Sequence, residues 1–137
     1  MHKLDLVVRD SETYVGGIVH NSNYFNYLEH ARNTCLREIG IDFIQMATER
    51  GIKFTQVQSE QKYKLPLKAN DAFYVTTIVE RSSSIQFNFI QNIYKSAGDV
   101  LSLEARTIGV LINEKGVPIR PPKDILESLE QIGVTPL

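Results

Sequence analysis

The residues best suited to chemistry lie in one short segment, between Glu12 and Asn21. This segment supplies a carboxylate, a phenol, an imidazole and an amide, from Glu12, Tyr14, His20 and Asn21. His20 is the most suitable titrating group, because an unperturbed imidazole has a pKa of about 6.5. Glycines at 16 and 17 have no Cβ, so a ligand can approach their backbone closely. The segment therefore combines acid–base groups with an accessible backbone.

The elements that must position this segment are a strand before it and a long helix after it. Leu4–Arg9 has the apolar character of a short strand, and residues 10–23 form the loop. The side chains at 21–23 are Asn, Ser and Asn, which are typical helix N-caps. A helix start presents free N–H groups and the positive end of the helix dipole, so this loop is suited to binding a negatively charged oxygen.

The long helix is predicted from Tyr24 to Ile39, and Gly40 is predicted to end it. Its apolar residues fall on one broad helical stripe: Tyr24, Tyr27, Leu28, Ala31, Cys35 and Ile39. Glu29 and Arg32 are three residues apart on this helix, so they are expected to pair with each other. A second, shorter helix is predicted from Asp42 to Arg50, with Gly51 at its end.

The rest of the chain has the alternating pattern of strands. Four are predicted: Lys53–Lys64, Ala72–Arg81, Ser84–Lys95 and Val100–Asn113. Residues 96–99 and 113–116 have the composition of hairpin turns. A last helix is predicted from Lys123 to Ile132, ended by Gly133. The order predicts one α+β domain over residues 1–137, a curled antiparallel β-sheet wrapped around a long central α-helix.

Composition excludes several classes of protein. The chain has 137 residues, and 15 Lys and Arg against 16 Asp and Glu give a net charge of −1, so there is no general attraction to nucleic acid. The apolar runs are too short to span a membrane, and the first residues lack the apolar stretch of a signal peptide. One cysteine, Cys35, forms neither an internal disulfide nor a cysteine-based zinc site. We expect a soluble, cytoplasmic protein.

Residues 8–24, VRDSETYVGGIVHNSNY, resemble the first motif of hotdog-fold acyl-CoA thioesterases. The resemblance is strongest to the 4-hydroxybenzoyl-CoA thioesterase (YbgC-like) family. It continues through YFNYLEHAR at 24–32, KYKLPL at 62–67, EAR at 104–106 and NEKGVPI at 113–119. These motifs occur in the family's order over most of the chain. The resemblance implies the hotdog fold and hydrolysis of acyl-CoA or acyl-carrier-protein thioesters without a cofactor or metal.

One position departs from the family motif. The family's Asp, three residues before the second glycine, is replaced here by Tyr14. That Asp acts as a nucleophile or as a base for water, whereas a tyrosine with a pKa of about 10 is a poor substitute at neutral pH. An alternative function therefore stays open, in which the protein binds acyl thioesters without hydrolysing them. A hotdog dehydratase, supported only by His20, is a third possibility.

Because the family's Asp is absent, the candidate catalytic residues for thioester hydrolysis are chosen by their chemistry and are Glu12, Tyr14, His20 and Asn21. Glu12 or His20 would act as the base, Asn21 would orient water, and Tyr14 would donate a hydrogen bond to the carbonyl. The substrate-binding residues would be Gly16, Gly17, Ile18, Val19 and Tyr24. No group of residues has metal-ligand spacing.

Each residue also has a purely structural interpretation. Glu12 suits a salt bridge or cap in the loop, His20 a structural hydrogen bond, and Tyr14 a packing or subunit-interface role. The polar residues at 21–23 suit helix capping, Tyr24 suits the core, and Cys35 suits a small buried apolar side chain.

By resemblance, the protein is expected to form a homodimer or homotetramer with its site at a subunit interface. A single sheet with one helix leaves strand edges that a partner can cover. The acyl group is expected to lie along the long helix, against the strand that begins near Phe54. Phe43 and Met46 are further candidates for the wall of this acyl-binding pocket.

Overall fold

One antiparallel sheet curls around one long helix, as the sequence predicts. The structure is a computed structural model, and it describes residues 1–131. The described strands are β1 His2–Val7, β2 Lys53–Tyr63, β3 Ala72–Arg81, β4 Gln86–Lys95, β5 Val100–Ile112 and β6 Pro118–Ile119. Their order in the sheet is β1-β3-β4-β5-β2, and the short β6 pairs with β5. The predicted end of the last helix, Ile132 and Gly133, lies outside the described residues.

The two predicted hairpin turns are confirmed. β4 and β5 are joined through a 3₁₀ turn at Ala97–Asp99, and β5 and β6 through the turn that Asn113 begins. β2 returns to pair with β5 along most of its length, with a bulge between Gln56 and Gln58. β2 lies at one edge of the sheet and β1 at the other.

Some predicted boundaries are wrong by two or three residues. β1 runs from His2 to Val7 rather than from Leu4 to Arg9, because the Arg9 N–H turns away to the Glu12 carboxylate. β4 begins at Gln86 rather than Ser84, because the Ser83 hydroxyl accepts hydrogen bonds from the N–H groups of Ile85 and Gln86 and forms a turn. The sequence did not predict β6, because a strand of two residues is too short to show an alternating pattern.

The long helix, α1, spans Asn21–Glu38 and therefore begins three residues before the predicted Tyr24. The N-cap position is His20, whose side chain makes no capping hydrogen bond. The expectation that the polar residues at 21–23 cap this helix is wrong. Asn23 instead donates its side-chain amide to the Glu12 carbonyl at 2.9 Å, because that loop carbonyl faces the first turn.

The other helices are α2, Phe43–Arg50, and α3, Lys123–Glu130. Asp42 caps α2 by accepting hydrogen bonds from the Ile44 and Gln45 N–H groups, and Gly51 ends it in the left-handed conformation, with φ of 63°. Of the helices in residues 1–131, none has both the length and the apolarity that crossing a membrane requires.

The core lies between α1 and the inner face of the sheet. Five members of the predicted stripe, Tyr24, Tyr27, Leu28, Ala31 and Cys35, are confirmed as buried, whereas Ile39 is the C-cap beyond the end of α1 and is half-buried. They meet a buried inner sheet face that includes Phe73, Val75, Ile93 and Leu103. A second apolar cluster, below the C-terminal half of α1, holds Leu36 with residues of α2 and α3. Burial of these side chains removes apolar surface from water and holds α1 against the inner face of the sheet.

One polar connection crosses this core. Arg32 is 3% exposed, and its Nη1 donates to the Gln91 Oε1 at 3.3 Å. Gln91 in turn donates to the Leu28 carbonyl at 2.9 Å and to the Thr77 hydroxyl at 3.1 Å. The expected pair between Glu29 and Arg32 is not among the ion pairs of residues 1–131. Arg32 points into the core, where β4 supplies a nearer acceptor, and burial lowers the pKa of its guanidinium.

We predict that Gln91→Leu lowers the free energy of unfolding by about 3 kcal/mol, because it leaves the buried Arg32 without its acceptor. Adding Arg32→Met should recover much of that loss, since the unpaired cation is then removed as well. Urea denaturation measures both. Gln86→Leu, on the same strand, is the control and should change stability by about 0.5 kcal/mol or less. This account would be contradicted if the loss of unfolding free energy in the double variant equalled the sum of the losses in the two single variants.

Candidate active site

The loop between β1 and α1 folds into a tight turn at its glycines. The Gly17 N–H donates to the Tyr14 carbonyl at 2.9 Å, and the Tyr14 N–H donates to the Ile18 carbonyl at 2.8 Å. Gly16 and Gly17 have φ of 114° and 85°, a region that side chains with a Cβ rarely adopt. A Cβ on Gly16 would have no atom within 4 Å, so the backbone there is open to a ligand.

A second segment, residues 67–69, holds this loop against the sheet. The Val19 N–H donates to the Leu67 carbonyl at 2.9 Å, and the Ala69 N–H donates to the Gly17 carbonyl at 2.7 Å. The Leu67 N–H donates to the hydroxyl of Tyr24 at 3.0 Å. Tyr24 is 3% exposed, so burial raises the pKa of its hydroxyl. The first helical turn and residues 67–69 thus fix the path of the loop.

Glu12 ties the loop to the helix. Its Oε1 accepts from the Arg9 N–H at 2.8 Å and from the Tyr27 hydroxyl at 3.0 Å, and its Oε2 lies 3.3 Å from the Arg9 guanidinium. Its carbonyl accepts from the His20 N–H at 3.0 Å. Burial and the neighbouring carboxylate raise the pKa of the Tyr27 hydroxyl, so that hydroxyl stays protonated and continues to donate. The Glu12 carboxylate therefore has partners already.

His20 and Tyr14 lie side by side at the start of α1. Their ring centroids are 3.5 Å apart with the planes tilted by 40°, and 53% of Tyr14 is exposed. The next two residues, Asn21 and Ser22, open the helix, and within residues 1–131 their backbone N–H groups have no hydrogen-bond acceptor. An imidazole, a phenol and two free N–H groups therefore meet at one exposed point, with the positive end of the helix dipole behind them.

The nine predicted site residues do not all share this surface. Glu12, Tyr14, His20 and Asn21 belong to the loop and the start of α1, and Ile18 in the same loop is 44% exposed. Val19 is 1% exposed and Tyr24 is 3% exposed, so their side chains face the core of the protomer rather than the loop surface. The backbone of the loop, more than these two side chains, is accessible to a ligand.

A groove lies further along α1, between α1, α2 and β2. It has a volume of about 500 Å³, and its wall includes Glu29, Arg32, Phe43, Ala47, Phe54 and Gln56. Phe43 and Phe54 were expected near the acyl group, whereas Met46 is buried in the core and does not line the groove. Arg32 was missed as a wall residue. The sequence did carry a signal for this residue. Arg32 is four residues after Leu28 and four before Leu36, and this spacing places it on the buried side of α1.

Cys35 is buried, with 1% of its surface exposed, and burial raises the pKa of its thiol to about 11. A protonated, inaccessible thiol is a poor nucleophile. In the described part of the chain, no three His, Cys, Asp or Glu side chains lie close enough together to hold a metal ion.

Comparison with known proteins gives one consistent result. Residues 5–129 match the thioesterase-like superfamily. A chloroplastic acyl-acyl carrier protein thioesterase of Arabidopsis thaliana is 32% identical over 124 residues, 90% of this chain and 65% of that protein. The chain thus spans about two thirds of that relative's length.

Two solved structures have the same fold. The crystal structure of a hypothetical protein from Aquifex aeolicus has a TM-score of 0.85 and 32% identity, covering 94% of this chain and 99% of that one. A 1,4-dihydroxy-2-naphthoyl-CoA thioesterase from Synechocystis has a TM-score of 0.89 with 14% identity, covering 95% and 96% of the two chains. The second likeness concerns the fold alone.

We predict that a thiol reagent modifies Cys35 at least about a hundredfold more slowly in the native protein than in urea. The pH dependence follows from the raised pKa of the thiol, from 9.0 to about 11. The buried, protonated thiol contributes to the free energy of unfolding in full below pH 9. That contribution is lost as the pH rises toward 11, because the thiol of the unfolded chain ionises at a lower pH than the thiol of the folded protein. Cys35→Ala should therefore flatten the fall in unfolding free energy over this range. Rapid labelling of the native protein would show that the thiol is accessible.

Proposed function

The chain belongs to the thioesterase-like superfamily, and from this premise we propose that it hydrolyses acyl thioesters of coenzyme A or of an acyl carrier protein, giving a free acid and a thiol. The observation that carries this proposal is the exposed start of α1, where His20 and two free N–H groups adjoin a glycine turn. The Arabidopsis relative supports a thioester substrate.

The thioester carbonyl would bind between Gly17 and Asn21. Its oxygen becomes negatively charged when water attacks, and the free N–H groups of Asn21 and Ser22 can donate hydrogen bonds to it. The helix dipole adds to that stabilisation. Because Gly16 has open space around it, the acyl group can come close to the backbone. These backbone groups need no movement to act, so their benefit is greatest in the transition state.

The attacking water would be deprotonated by His20. The water oxygen bonds to the carbonyl carbon and its proton passes to the imidazole. The carbon–sulfur bond then breaks as the imidazolium returns that proton to the sulfur, which leaves as the thiol. Tyr14 would hold the imidazole by ring contact and donate to the carbonyl oxygen, and Asn21 would orient the water. Glu12 is less suited to act as the base, because its carboxylate already accepts from Arg9 and Tyr27. It would serve to position the loop.

The acyl chain would occupy the groove between α1, α2 and β2. Its two phenylalanines, Phe43 and Phe54, suit an aliphatic or an aromatic acyl group. Membership of the 4-hydroxybenzoyl-CoA (YbgC-like) branch is a finer part of this proposal and is supported by the sequence resemblance. A cytoplasmic location belongs to the same proposal and agrees with a single free cysteine.

The partner of the protein would be a second copy of itself, as a homodimer or a homotetramer. β2 is an edge strand of 11 residues, and most of them are exposed. Among the described strands, β5 alone pairs with it. An edge this long favours pairing with another strand, and 58% of Val57 is exposed on it. A partner at this edge would also lie next to the groove, since β2 supplies part of its wall.

We predict that the purified protein releases free thiol from acyl-CoA substrates, measured over short, long and aromatic acyl groups. His20→Ala should lower kcat by about 10²- to 10⁴-fold, the usual contribution of a general base. His30→Ala, an exposed histidine on the same helix, is the control and should leave kcat unchanged.

Two further variants separate the roles of the loop residues. Tyr14→Phe should lower kcat by about tenfold, through the loss of one hydrogen bond to the carbonyl. Glu12→Gln keeps the acceptor for Tyr27 and should keep most of the activity. Full loss with Glu12→Gln and none with His20→Ala would assign the base to Glu12 instead. Binding of acyl-CoA without any turnover would favour a non-hydrolytic binding protein, and hydration of an enoyl thioester would favour a dehydratase.

A test of the assembly uses the exposed edge. Light scattering should give at least twice the chain mass of 15.6 kDa, and Val57→Asp should shift the protein toward the monomer by placing charges opposite each other at the β2 edge. Val117→Asp, in the exposed turn between β5 and β6, is the matched control. A monomeric wild-type protein would overturn the proposed assembly.

A further inference from the structure

Two separate spaces lie on either side of one pair of aromatic rings. The first is the open groove between α1, α2 and β2, and the second is a small, partly enclosed cavity whose wall includes two residues of α3. Phe43 and Phe54 line both spaces, and no other residue does so. In the described part of the chain, this pair is therefore the partition between the groove and the interior.

The two rings form a well-defined wall. Their centroids are 4.8 Å apart and their planes differ by 11°, so they are stacked. The edge of Phe54 meets Phe89 at 5.6 Å, with the planes at 88°. On its other side the Phe54 ring fills the space over Gly109, where an added Cβ would overlap it. Phe54 is thus held by contacts with β4 and β5, whereas Phe43 is the first residue of α2 and packs against the second apolar cluster as well as in this stack.

The partly enclosed cavity is small and wholly apolar. Its volume is about 20 Å³, room for about one water molecule, and its wall includes Leu36, Phe87, Phe89, Leu111, Ile125 and Leu129. With no polar partner in that wall, water gains nothing by entering. The cavity is therefore extra apolar space, and the two rings separate it from a chain in the groove.

We propose that the Phe43–Phe54 stack is the end wall of the acyl-binding groove and sets the longest acyl chain that the protein accepts. This inference rests on the proposed function, because it concerns the acyl part of the same substrate. The ligand is a straight aliphatic acyl group whose terminal carbons lie against the two rings.

The chemistry of the groove indicates which end of the substrate meets the wall. The other residues of the groove include charged and polar side chains, among them Glu29, Arg32 and Gln56. The terminal methyl and methylene groups of an acyl chain are the part of the substrate that needs no hydrogen bonds, so they are best placed against the rings. Each additional methylene that becomes buried strengthens binding by about fourfold.

The test removes part of the aromatic wall by mutation and measures which acyl chain length the protein then prefers. Phe43→Ala connects the groove to the cavity, so the chain length with the highest kcat/KM should rise by about two to four carbons. The preference for the longer chain over the wild-type optimum should increase by at least about tenfold. Phe43→Leu should give a smaller shift. Phe25→Ala, an exposed phenylalanine on α1, is the control and should leave the profile unchanged.

A second variant checks that the added length lies in the cavity. Ile125→Phe fills that cavity from α3 and, combined with Phe43→Ala, should return the preferred chain length toward that of the wild type. Thermal unfolding of each variant confirms that it is folded. An unchanged chain-length profile in folded Phe43→Ala, with activity kept, would overturn the end wall and leave the thioesterase proposal intact.

A readout without catalysis separates the two proposals. Calorimetric binding of free fatty acids of increasing length should show the same shift in Phe43→Ala. If the wild-type protein hydrolyses no thioester but this shift is seen, the hydrolase proposal fails and the end wall stands. If Phe43→Ala and the wild type bind the same chain lengths, or neither binds any fatty acid, the end wall is wrong.

Discussion

The burial of α1 in the curved inner face of the sheet is the interaction on which the rest of the structure depends. Tyr24, Leu28 and Ala31 have almost no exposed surface, and they pack on strands from across the sheet. This packing fixes both ends of the helix in space. The N-terminal end carries the glycine turn and His20, and the middle forms one wall of the groove. Both of the proposed functional surfaces therefore depend on one hydrophobic contact.

Hydrogen bonds from side chains at the same contact determine where the neighbouring loop and segments lie. Tyr27 donates to Glu12 and so joins the loop to the second turn of the helix, while Tyr24 accepts from Leu67 and joins the first turn to the neighbouring segment. Gln91 connects Arg32 to the sheet. Such bonds add little net stability when formed, but leaving one partner buried and unpaired is costly. They therefore specify one position of the loop, which a site built from backbone N–H groups requires.

The loop divides its possible roles between backbone and side chains. By the resemblance drawn from the sequence, Tyr14 stands where the family motif has an Asp, and the next carboxylate, Glu12, is engaged by Arg9 and Tyr27. The backbone of the loop is a glycine turn that leads into the free N–H groups at the start of a buried helix. In the proposed mechanism this backbone stabilises the negative charge, and the identity of the base is the part that side chains can vary. The aromatic wall at Phe43 and Phe54 is likewise a side-chain feature on a shared frame.

The sequence by itself determined the elements whose patterns are long and local. The buried stripe of α1, the antiparallel strands, the turn at 96–99 and the loop with Glu12, Tyr14 and His20 all follow from periodicity and residue type. It did not determine the start of α1, the partners of Glu12, or the partner of Arg32 in the core. Those depend on contacts between residues far apart in the chain, such as Arg32 with Gln91, and periodicity carries no information about which distant group is nearest. The groove and its end wall exist only once α2 and β2 are packed together, so tertiary structure alone decided them.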